Sequence, residues 1–147
     1  MNRERGEMPV IRSNAFAVEF DGVRGQLCLS CWDTPASEEL QEGLEKALLY
    51  AEKNRVKHWL FDFRAIGTLC EEQEAWLQAN FFSRMMKTMG AGNFVATVLS
   101  SECYQELLEE AGKAGLRSYN SFIIIHTFCD PVQARDWLNR SVLEPVS

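Results

Sequence analysis

Few side chains in this sequence have the type and spacing that chemistry needs. Cys28 and Cys31 form a Cys-x-x-Cys pair in QLCLSC, a spacing that serves redox proteins when the first thiol opens a helix whose dipole acidifies it. Here both lie in an alternating apolar segment that reads as a strand. Strand residues three apart point to opposite faces, so the two thiols are expected to stay free and to fill packing roles. Cys70 is better placed, at a helix start, but Glu71, Glu72 and Glu74 oppose a thiolate and neither histidine is adjacent in sequence as a base. His58 and His126 have no close Cys or His partner, which argues against a metal site. There is no Gly-rich phosphate loop, Gly-x-Ser-x-Gly elbow or His-Glu zinc motif. The expectation is a protein without catalytic residues, metal or cofactor; a thiol-dependent enzyme using Cys70 is the remote alternative.

One corner concentrates polar groups. In FDFRAIGTLCEEQEAWL, residues 61–77, an apolar strand ends on Asp62, a loop carries Arg64 and Thr68, and Cys70 and Glu71 open a helix. In an open α/β sheet, ligands bind outside the carboxyl ends of the strands. Asp62, Arg64, Thr68, Cys70 and Glu71 are therefore the expected interaction or switch corner.

The elements that must position this corner follow from periodicity. Phe16, Val18 and Phe20, then Leu27, Leu29 and Cys31, alternate around Asp21-Gly22 to Gly25, a hairpin. Leu40, Leu44, Ala47, Leu48 and Ala51 recur at helical spacing after the start signal TPASEEL. HWLFDF, apolar almost throughout, predicts a central strand from His58 to Asp62, with Trp59 and Phe61 on one face and Leu60 on the other. A helix over 71–89, a strand in NFVATVLS, a helix in SECYQELLEEAGKAG with Leu107, Leu108 and Ala111 inward, and a strand in SYNSFIIIHTF follow. Asp130-Pro131 then opens a last helix with Ala134, Trp137 and Leu138 on one face. The expected order is β-β-α-β-α-β-α-β-α: a mixed α/β sheet of about five strands with about four helices, in a single domain over 14–143 between tails at 1–13 and 144–147.

This order, with FCDPVQARDWL at 128–138 and Asp62, Phe63, Ile66 and Leu69 in the corner, resembles the SpoIIAA-like group of the STAS superfamily, the anti-sigma-factor-antagonist-like proteins. The resemblance implies a bacterial, regulatory, non-enzymatic module that binds a protein partner or itself. The phosphorylatable Asp-Ser pair of the antagonists is replaced by Cys70-Glu71, so Glu71 is either a permanent charge in place of a phosphate or a helix-start residue favoured by the dipole. The same group is similar to Sec14-type lipid-binding domains, which implies the alternative of a small-molecule or lipid-binding module.

On a helical wheel of 71–89, Ala75, Ala79, Phe82 and Met86 form the expected core stripe. Leu77, Phe81 and Met85 form a second apolar shoulder. Trp76 falls among Glu72, Asn80, Ser83 and Lys87, where an aromatic needs cover. Trp76, Leu77, Phe81, Met85 and Met89 are thus the expected partner or ligand surface. A net charge of −6 and a pI near 5.0 argue against nucleic acid. No stretch approaches the ~18 apolar residues of a membrane span, and five cysteines without scaffold spacing favour a reducing, cytoplasmic setting.

Overall fold

The computed structural model of the protein describes residues 7–67, 69–120 and 122–143. It begins with β1 (Glu7–Arg12), which pairs antiparallel with β2 (Phe16–Asp21). Part of the expected N-terminal tail is therefore an edge strand. Edge pairing is satisfied largely by the backbone, and here, among the side chains described, Val10 and Ile11 lean on the core while Met8 and Pro9 face solvent. Residues 1–6 and 144–147 lie outside the described residues.

The expected hairpin is present as β2 and β3 (Gln26–Cys31). Asp21 shapes its turn: Oδ1 accepts from the backbone N–H of Val23 and of Arg24, both at 3.1 Å, and Oδ2 from Arg24 Nη1 at 2.9 Å. Such an Asx turn is why an aspartate ends the strand. Then come α1 (Ser37–Asn54) and β4 (His58–Asp62). A helical rod follows, built of α2 (Glu71–Trp76), a π-helical segment (Leu77–Phe81) and α3 (Phe82–Met89). After β5 (Asn93–Val98) come α4 (Ser101–Ala111) and a 3₁₀ turn at Lys113–Leu116.

The single strand expected in SYNSFIIIHTF is two strands, β6 (Arg117–Tyr119) and β7 (Ile123–Phe128), paired antiparallel. Asn120 reverses the chain between them, its Oδ1 accepting from the N–H of Phe122 at 2.7 Å and of Ile123 at 2.9 Å. The last helix, α5 (Pro131–Leu143), starts where expected, with Asp130 Oδ1 accepting from the N–H of Val132 at 2.9 Å.

The sheet thus has seven strands in the order β1-β2-β3-β4-β5-β7-β6, where about five were expected. The fold is a mixed α/β sheet with four helices, counting the rod as one. β3, β4, β5 and β7 run parallel, as the helical crossovers require. Because these crossovers step in one direction with one handedness, their helices fall on one face. There α1, the rod and α4 cover Phe16, Leu27, Trp59 and Phe61; on the other face α5 covers Leu60, Ala96 and Val98 with Ala134 and Leu138. β4 is the middle strand, with Trp59 and Phe61 opposite Leu60 as its pattern predicts. Among the described residues no helix is long and apolar enough to cross a membrane.

Two assignments of facing are corrected. Ala75 and Ala79 are exposed, and the rod turns Gln73, Leu77, Phe81, Phe82 and Met85 inward. The π turn is the cause: inward positions at 73, 77, 81 and 85 recur every four residues, a spacing that would drift about 40° per step on a regular α-helix. Ala111 is exposed as well, and α4 has no fully buried residue. It touches the core only through Cys103, Tyr104 and Leu107, all partly buried.

Close seating of α1 depends on Gly43. A Cβ there would lie 2.6 Å from ring carbons of Phe16, which is itself fully buried. Gly43→Ala improves helix propensity by about 1 kcal/mol but overpacks a site that cannot yield, at about 1–3 kcal/mol. The expected result is a net loss of stability in urea unfolding; a stabilised variant would show that the Phe16 ring moves freely.

Candidate functional site

The corner after β4 lies at the carboxyl ends of the parallel strands. Phe63 continues the strand, donating its N–H to Val98 O at 2.9 Å, and Ile66 N–H closes a turn onto Phe63 O at 3.2 Å. Gly67 then passes with φ +81°, a left-handed conformation that favours glycine. Thr68 lies outside the described residues.

Asp62 and Arg64 are joined by two side-chain hydrogen bonds, Nε to Oδ1 at 2.9 Å and Nη2 to Oδ2 at 2.8 Å, and Arg64 N–H adds a third to Oδ1 at 3.1 Å. Burial alone would push the Asp62 carboxyl up. The Arg64 hydrogen bonds and charge, with the charge of Arg135, outweigh burial and hold it below the usual carboxylate range. Asp130, beyond β7, adds its charge near Arg64. The corner is therefore a self-satisfied ion pair, and Arg64 is not a free cation awaiting a ligand.

Cys70 is the exposed residue before α2, and its backbone N–H donates to Gln73 Oε1 at 3.2 Å. Gln73 Nε2 in turn donates to Pro35 O at 3.0 Å, tying the rod to the loop that enters α1. This buried glutamine was missed in the sequence because cysteine is an unusual cap, although Gln at the third helical position is a capping-box signal. Glu71 is exposed in the first turn beside Glu72 and Glu74, where carboxylates complement the helix dipole.

The other thiols do not converge. Cys28 packs on the α5 face with Arg135 Nη1 3.9 Å from its sulfur, and Cys31 is buried on the opposite face. Burial raises both thiols, that of Cys31 to about 12 with help from the Asp62 charge, while Arg135 partly offsets the rise at Cys28. His58 and His126 are lowered by burial first and then by Lys57 and Arg117 respectively. Among the described residues no three potential metal ligands cluster.

The expected ligand surface is divided. Trp76 is partly buried and stacks on Phe81 with ring centroids 6.5 Å apart, in a groove it shares with Glu45 and Leu48 of α1. Its cover is thus its own chain. Phe81 and Met85 are fully buried in the core, and Met89 is partly buried against it.

Leu77 alone of that set borders the cavity that matters, a cleft of about 310 Å³ between the rod and α4. Phe61, Phe63 and Leu99 floor it, Phe82 and Leu107 wall it, and Leu69 carries it to the corner. Thr97 and Thr127, paired in register on β5 and β7, also line the floor. Sequence reasoning missed the cleft because its lining comes from five elements far apart in the chain. The sequence carried no local signal for it, since the apolar spacing of Leu107, Leu108 and Ala111 in α4 reads as an ordinary inward face. No protein-family model, curated protein or solved structure matches the chain.

Two outcomes test this geometry. In native thiol titration Cys70 should react first and Cys31 last, with five thiols released on unfolding; a fast Cys31 would contradict its burial. Arg64→Met should raise the Asp62 pKa by NMR titration. A carboxylate depressed in the folded state contributes stability above its unfolded pKa, and loses it as pH falls through the folded value. The wild-type advantage over Arg64→Met, about 0.5–1 kcal/mol for a half-exposed pair, should therefore vanish in acid.

Proposed function

We propose that this chain is a non-enzymatic, STAS-like binding module whose ligand is a small hydrophobic molecule held between the rod and α4. The observation that carries the reading is the cleft itself: its volume is that of a small-ligand pocket, its floor is aromatic, and two threonines line it. Two further features support it. The π-helical segment, a local departure frequent at functional sites, borders the cleft through Leu77 and Gln78. The helix on its other side has no fully buried residue, so it can yield to a ligand with little loss of packing.

A regulatory, partner-binding role at the corner is the second reading, favoured by the exposure of Arg64, Cys70 and Glu71 beside the cleft. The two are compatible, because Phe63 and Leu69 belong both to the corner loop and to the cleft lining. Occupancy would then be felt at the surface a partner reads.

Nile red, a neutral apolar dye, provides the test. It should bind the full chain saturably, and Leu107→Trp, which fills the cleft from the yielding helix, should weaken binding about tenfold or more. Arg64→Glu should leave dye binding unchanged. Saturable binding unaffected by Leu107→Trp, in a variant with native circular dichroism, would remove the cleft as the ligand site.

A further inference from the structure

We propose that the cleft selects an organic cation, an amine headgroup on an apolar tail. This rests on the cleft being a ligand site, as argued above, and adds the charge of what enters it. Three carboxylates, Glu74 from α2 and Glu106 and Glu110 from α4, line the cleft, and no Lys, Arg or His does. Among the described residues none of the three is held in an ion pair. The rim is therefore acidic on both walls.

The disposition along α4 is unfavourable without a counter-charge. Glu102, Glu106 and Glu110 stand four residues apart, so like charges stack on one face. Glu109 and Glu110 sit in the last turn, which holds no base and where the helix dipole already places partial negative charge. An ammonium group at the rim would relieve both repulsions at once. The aromatic lining of Phe61, Phe63 and Phe82 also disfavours an anion relative to a cation, because π-systems attract cations. A carboxylate or phosphate headgroup would meet the three glutamates with no cation in the lining to offset them. The tail, lying over Leu99, Leu107 and Leu77, supplies the hydrophobic part of the affinity.

Calorimetric titration of the full chain with octylammonium, octanol and octanoate separates tail from charge. Octylammonium should bind about tenfold or more tighter than octanoate, with octanol between them. The preference should shrink in ~0.5 M salt as screening shortens. In Glu106→Gln/Glu110→Gln, and to a lesser degree in Glu74→Gln on the opposite wall, the three affinities should draw together. These exposed positions let each variant keep its fold, as circular dichroism would verify. If octanoate binds as tightly as octylammonium, the cation preference is overturned while the cleft survives as an apolar site. If none of the three binds, both the cleft and its selectivity fall. A preference unchanged in all the variants would remove these glutamates as its source.

Discussion

Burial of β4 on both faces is the constraint from which the rest of the structure follows. Trp59, Leu60 and Phe61 are each exposed by 2% or less, so the strand needs a parallel neighbour on either side and helices above and below. Two polar atoms are sacrificed to this: among the described residues neither Trp59 Nε1 nor His58 Nε2 has a hydrogen-bond partner. An unpaired buried donor costs about 1–3 kcal/mol. The indole meets Phe61 at 6.0 Å and Phe81 at 5.3 Å, both edge to face, and each such pair contributes about 0.5–1.5 kcal/mol beyond burial. Aromatic packing thus offsets the loss, and Phe81 is available for it because the π turn rotates it inward.

The same strand aims the corner. Its last residue, Asp62, emerges where the sheet ends, and Arg64 folds back onto it. A charge at the end of an otherwise apolar strand would be costly to leave unpaired. The ion pair therefore answers a structural need before any other, and this is why the corner looked chemically rich in the sequence while offering no free cation. The cleft is different in kind. Among the described residues its glutamates form no ion pair, and one of its walls is α4, a helix with no fully buried residue.

What could be read from the sequence tracks what is local. HWLFDF declared a strand covered on both faces, Asp21 with Gly25 declared the hairpin, and Asp130-Pro131 declared the last helix. Three features escaped because their cause is not local. β1 is held by backbone pairing to β2, which its charged and proline-containing sequence does not advertise. The reversal at Asn120 was hidden inside an apolar run. The π turn broke the period on which the helical wheel depends, so the true inward residues, Leu77, Phe81 and Met85, looked like a surplus shoulder. Of the site, the corner could be read from the sequence because a charge after an apolar strand is a one-dimensional signal. The cleft could not, because Thr97 and Thr127 meet only when β5 and β7 pair.

The two margins of the sheet have a consequence of their own. On one side β1 carries Pro9, which lacks an amide hydrogen, and its register with β2 slips between Pro9 and Ile11. On the other, β6 is three residues long. A proline, a bulge or a short strand each deprives an incoming chain of the continuous row of donors and acceptors it would need to dock by backbone pairing. Both edges of the described sheet are therefore poor templates for an incoming strand.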